Sequence, residues 1–132
     1  MHNNFFYILI FVSLIKIYIH SIVGIRIDQT IYLVNENMIA DCVSQKSILE
    51  AYEQGYGALE LDKNKLEKMV NNTIKDNLPF CKCDIYYYYY DSVSMKACNI
   101  DQVKCNSVQI KIDIRYSEIT SSRELRYELV SN

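Results

Sequence analysis

The chain has 132 residues, of which 50% are hydrophobic, and a formal net charge of −2. That length suits one small domain plus an N-terminal address, and a mildly acidic balance with no basic patch excludes the counterion release that drives nucleic-acid binding. Its two histidines, His2 and His20, fall in or beside an apolar N-terminal stretch. The remainder therefore lacks the imidazole that Ser-His-Asp and Cys-His nucleophiles need; catalysis and a cofactor are not expected.

Residues 5–25 read FFYILIFVSLIKIYIHSIVGI. As a helix they span about 32 Å, close to the bilayer hydrocarbon core of about 30 Å. Two readings compete. A cleaved signal peptide would use Phe5 to Ile15 as its apolar core, with Ser21 as a tolerable cleavage position. An uncleaved anchor would place Lys16 near mid-membrane, at about 2.5–3.5 kcal/mol on insertion scales. The surrounding Ile, Phe, Leu and Val residues offset that cost.

The residues C-terminal to this stretch favour the anchor. Val23, Ile27, Ile31, Val34, Met38, Cys42, Leu49, Tyr52 and Tyr56 recur at steps that keep them on one helical face. No cap, Gly-Pro pair or turn cluster separates this stripe from the membrane segment. The spacing predicts one helix of about fifty residues, half in lipid and half amphipathic, ended by Gly55 and Gly57. Ile27, Ile31, Val34 and Met38 are candidate contacts for another helix, by self-association or with a protein partner. The division is an anchor or signal over 1–25, a stalk over 26–56 and a head over 57–132. Lys16 and Arg26, taken alone, place the C-terminus in the cytosol. Five cysteines instead favour an oxidising, extracytoplasmic side for the head.

A second helix is predicted from Asp62 as N-cap, burying Leu66, Met69, Val70, Ile74 and Leu78 and stopped by Pro79. This helix should cover one side of a sheet. After Pro79 the period changes to two. Asp84 to Tyr90 is rich in strand-forming aromatics. Val108, Ile110, Ile112, Ile114 and Tyr116 alternate with polar residues as one buried strand face. Ser121 and Ser122 suggest a turn, and Arg123 to Val130 alternates again. The expected fold class is α+β: a long N-terminal helix, a second helix, then a three- or four-stranded antiparallel sheet.

Cys81, Cys83, Cys98 and Cys105 lie within 25 residues and are candidates for two disulfides, leaving Cys42 over. Cys98 with Cys105 is favoured by adjacent-strand geometry. A four-thiolate zinc site is the lesser alternative, since the Cys-Lys-Cys spacing is tighter than zinc motifs use. In the run Tyr86 to Tyr90, alternation puts Tyr86, Tyr88 and Tyr90 on one face and Tyr87 and Tyr89 on the other. One set should pack beneath the helix, leaving the other as a candidate interaction surface.

The layout resembles that of pilin-like proteins, particularly TadE-like minor pilins and related pseudopilins of low-GC Gram-positive bacteria. The apolar-to-amphipathic helix of Phe5 to Gln54, the second helix and the strands around Tyr86 to Tyr90 and Val108 to Tyr116 carry that resemblance. It implies a helix that anchors the subunit or packs against its copies, a head supplying surface contacts, and no active site. The expected function is a single-pass, membrane-anchored structural or assembly protein with its head outside the cytoplasm. The alternative is a secreted, disulfide-stabilised binding module or effector.

Overall fold

A computed structural model describes residues 2–42, 60–92, 94–98 and 105–129 of the chain. It has the expected α+β layout: helix α1 (His2–Asp41), helix α2 (Lys63–Asn77), then strands β1 (Lys82–Tyr90), β2 (Ser107–Tyr116) and β3 (Ile119–Glu128). The strands form one antiparallel sheet in the order β1-β2-β3.

α1 runs unbroken from the apolar stretch into the amphipathic one, since no proline interrupts it and its serine and threonine hydroxyls are satisfied within the helix. Ser13, Ser21 and Thr30 donate to the carbonyls of Leu9, Ile17 and Arg26 at 2.9, 3.0 and 2.7 Å. Regular helix stops at Asp41, and Cys42 is non-helical. The rest of the expected stalk, including Leu49, Tyr52, Tyr56 and the stop at Gly55 and Gly57, lies outside the described residues.

α2 forms where its sequence signals place it. The Asp62 carboxylate accepts from the Lys65 N–H at 3.1 Å, satisfying one of the orphan donors at the helix start. The Leu78 N–H closes the last turn on the Ile74 carbonyl at 2.8 Å, and Pro79 prevents continuation. Leu66, Val70, Ile74 and Leu78 are buried, with Met69 at the margin.

The sheet is a meander. β1 pairs with β2 so that Cys83, Ile85, Tyr87 and Tyr89 lie opposite Ile114, Ile112, Ile110 and Val108. β3 continues that face with Ser121, Arg123, Leu125 and Tyr127. Both helices pack on this side, and Val108, Ile110 and Ile112 of the central strand are fully buried among them. The β2–β3 turn is Ser117–Glu118, not Ser121–Ser122. Tyr116 pairs with Ile119 across a two-residue loop whose first member, Ser117, takes φ 52°. Ser122 sits inside β3 instead, donating to the Asp113 carboxylate across the pair at 2.8 Å.

Two substitutions test this packing in the detergent-solubilised full chain by denaturant titration. Ile112→Ala removes a central contact and should cost about 2–5 kcal/mol. Gly24 has open space where a side chain would sit, so Gly24→Ala should stabilise α1 by about 0.5–1 kcal/mol.

Candidate functional site

Two surfaces remain once the core is accounted for. The first is the apolar half of α1. Phe5, Tyr7, Phe11, Ile17 and Tyr18 are 63–68% exposed, and every residue from Asn4 to Ile22 is solvent-facing. Water would not tolerate so long an uncovered apolar helix. The segment is long and apolar enough to cross a membrane. Lys16 is its one formal charge, six residues before Ile22.

At Val23 the environment of α1 changes. Val23, Ile27, Thr30, Val34 and Met38 turn into the head's core, and Ile31 packs at its edge. Ile27, Ile31, Val34 and Met38 thus meet a helix of the same chain, α2, together with the sheet, where the expectation was a helix of a second copy or a partner. Sequence periodicity identifies an apolar face without identifying what buries it. An ion pair fastens the same helix to β3, Arg123 to Asp28 at 2.9 Å.

The second surface is the outer face of the sheet. Tyr86 and Tyr88 project there at 55% and 47% exposure. Tyr90 shares their parity but is 2% exposed, which corrects its place among the interaction candidates. The segment after β1 folds back over it, pairing Ala97 with Tyr90 and sending the Cys98 N–H to the Tyr89 carbonyl at 3.0 Å. Tyr90 stacks on Tyr88 at 5.8 Å between ring centres and donates its hydroxyl to Glu128 at 2.7 Å.

Tyr87 and Tyr89 pack on the helical side and are structural. Their hydroxyls donate to Asn71 at 3.2 Å and Glu67 at 2.9 Å on α2, and the Lys63 ammonium lies 4.7 Å from the Tyr89 ring centre. Glu67, Asn71 and Glu128 carry no sequence motif; only the tertiary pairing shows that they orient tyrosines. Burial, with the Glu67 carboxylate beside it, pushes Tyr87 up to about 12. Burial and the bond to Glu128 push Tyr90 up to about 12 as well. Tyr89 is raised by burial and by its bond to Glu67.

The cysteines divide by position. Cys98 and Cys105 form a disulfide with Cα atoms 5.8 Å apart, closing the loop between β1 and β2. Cys81 and Cys83 are thiols, which corrects the expectation of a second bridge. Cys83 is the second residue of β1, whereas Cys98 lies beside Tyr89 near its far end; about 20 Å of strand separates them, beyond the roughly 7 Å limit between bridged Cα atoms. The same separation prevents the four sulfurs from sharing one metal ion. Burial raises both thiols, and Cys83 is raised further by Cys81 and Asp84, so neither is primed as a thiolate. Cys42 is buried, its thiol directed at the Asn37 carbonyl at 3.9 Å.

An open depression of about 810 Å³ crosses the outer face beside Lys82, Asp84, Asp113 and Arg115. Its charges are of both signs, and Lys82, Asp84 and Arg115 are exposed, without the enclosure of a small-molecule pocket. Compared with family models, curated proteins and solved structures, the chain matches none.

The raised tyrosines fix a pH response. A phenol whose folded pKa is raised stabilises the fold fully below its ordinary value of about 10. That contribution is lost as pH climbs through about 12. Alkaline titration followed by tyrosinate absorbance and near-ultraviolet dichroism should show ionisation of these rings together with loss of tertiary signal. In Tyr90→Phe the fall of stability with pH should be shallower.

Proposed function

We propose that this chain is a membrane-anchored, non-enzymatic structural or assembly protein, held in the bilayer by residues 4–22 of α1 and presenting a small α+β head. The observation that carries this reading is the continuity of α1. The helix is regular through Ser21, and core packing begins two residues later at Val23. A signal peptidase acting after Ser21 would have to unwind helix beside the packed core. The disulfide supports an oxidising side for the head, hence an extracytoplasmic location. The order of elements supports a pilin-like or TadE-like layout, in which the head offers contacts to neighbouring subunits. With the amphipathic stripe covered by the head, such contacts fall to the lipid-facing half of α1 or to the sheet face bearing Tyr86 and Tyr88.

The second reading is a secreted binding module. An apolar helix near the N-terminus also fits a signal sequence, and Tyr86 and Tyr88 would then be its contact surface.

Carbonate washing of membranes, with intact mass and N-terminal sequencing of both fractions, separates the two. The anchor predicts uncleaved protein that resists extraction; a species beginning near Ile22 in the medium would overturn it. Placing arginines at Phe11 and Leu14 adds about 2.5–3.5 kcal/mol each to insertion and should release the protein from the membrane fraction.

A further inference from the structure

We infer that the end of the head carrying the β2–β3 turn and the Pro79–Phe80 turn rests on the lipid headgroups of the membrane that α1 crosses. This rests on the anchor reading above and adds a second membrane contact to it.

The placement rests on two fixed points. At one end, the Asp62 N–H meets the Cys42 carbonyl at 3.0 Å, the Leu61 N–H meets Cys105 at 2.8 Å, and the Leu129 N–H meets Asn106 at 2.8 Å. These bonds gather the end of α1, the start of α2, the start of β2 and the end of β3. The second point is the Arg123–Asp28 ion pair. From Cys42 back to Asp28, α1 covers about 21 Å at 1.5 Å per residue, and from Leu129 back to Arg123, β3 covers about 20 Å at 3.3 Å per residue. The agreement means that α1 and β3 run side by side in the same direction.

Continuing toward the N-terminus, β3 reaches Ile119 after about 13 Å, equal to about nine helical residues, level with Ile19. The uncovered apolar run of α1 ends at Ile22. The turn at Ser117–Glu118 therefore meets the membrane surface instead of standing off from it. Arg115 pairs with Lys82, so the start of β1 lies at the same level.

The chemistry of this rim suits an interface. Phe80 is 42% exposed and stacks edge-to-face on Tyr116 at 5.5 Å, an aromatic pair of the kind that settles at headgroup depth. Lys82 and Arg115 are exposed at this rim, against Glu118 at the turn. Asp84 and Asp113 sit one outer-face step farther from the rim. The excess of cations fits anionic headgroups.

The chain contains no tryptophan, so a single introduced indole reports alone. The full chain is reconstituted in phosphatidylcholine vesicles with a minority of phosphatidylglycerol, carrying lipid spin labels either near the headgroup or deep in the acyl chain. Phe80→Trp should be quenched by the shallow label severalfold more than Tyr88→Trp, which lies about 20 Å farther along β1. Phe11→Trp should be quenched by the deep label. Adding Lys82→Glu and Arg115→Glu to Phe80→Trp should reduce its shallow quenching about twofold or more. Deep quenching at position 11 with no excess at position 80 over 88 would overturn the docked rim and leave the anchor intact. Absence of deep quenching at position 11 would overturn the anchor and the rim with it.

Discussion

The structure depends on one helix meeting two environments. Forty residues of α1 are continuous, yet its first half has no other described element against it and its second half is the spine of the head's core. The change comes between Ile22 and Val23 without a break in backbone hydrogen bonding. An apolar helix stripped of partners must be covered by something other than water, and a bilayer also demands that backbone groups be satisfied within the segment. α1 meets the second condition: its backbone is paired within the helix, and its serines fold their hydroxyls back onto its own carbonyls.

The head is built outward from that spine. α2 packs on α1, and both cover one face of a three-stranded meander. The central strand β2 contributes Val108, Ile110 and Ile112 as the fully buried layer. The tyrosine run shows how strand parity divides roles: Tyr87 and Tyr89 are tied to α2 by hydroxyl hydrogen bonds, while Tyr86 and Tyr88 face outward. The loop disulfide stabilises the end of the sheet farthest from the apolar segment, beside the point where α1 hands over to α2. No cluster of three or more potential metal ligands occurs among the described residues.

Local features of this fold were legible in the sequence because their causes are local. Asp62 before a helical period, Pro79 after it, and the strict alternation of Val108 to Tyr116 each specify their element within a few residues. Features that depend on distant partners were not. Ile27, Val34 and Met38 announce an apolar face, but only the folded head shows that it is already occupied. Tyr90 has the parity of an exposed residue and is covered by a segment that returns from beyond the strand. Ser121 and Ser122 have turn composition, yet the chain turns at Ser117–Glu118, where neither glycine nor asparagine advertises it. Cys81 and Cys83 are near Cys98 in sequence and a strand's length away in space. The Arg123–Asp28 pair, which marks the height of the sheet along α1, joins residues with no shared motif.

The central claim is that apolar segment and core spine are a single rigid helix. Residue-resolved amide hydrogen exchange of the full chain in lipid nanodiscs addresses it at the junction. Uniformly slow exchange from Ile17 through Ile31 is the result that a single rod requires. Rapidly exchanging amides between His20 and Gly24 would show an unwound joint there and contradict it.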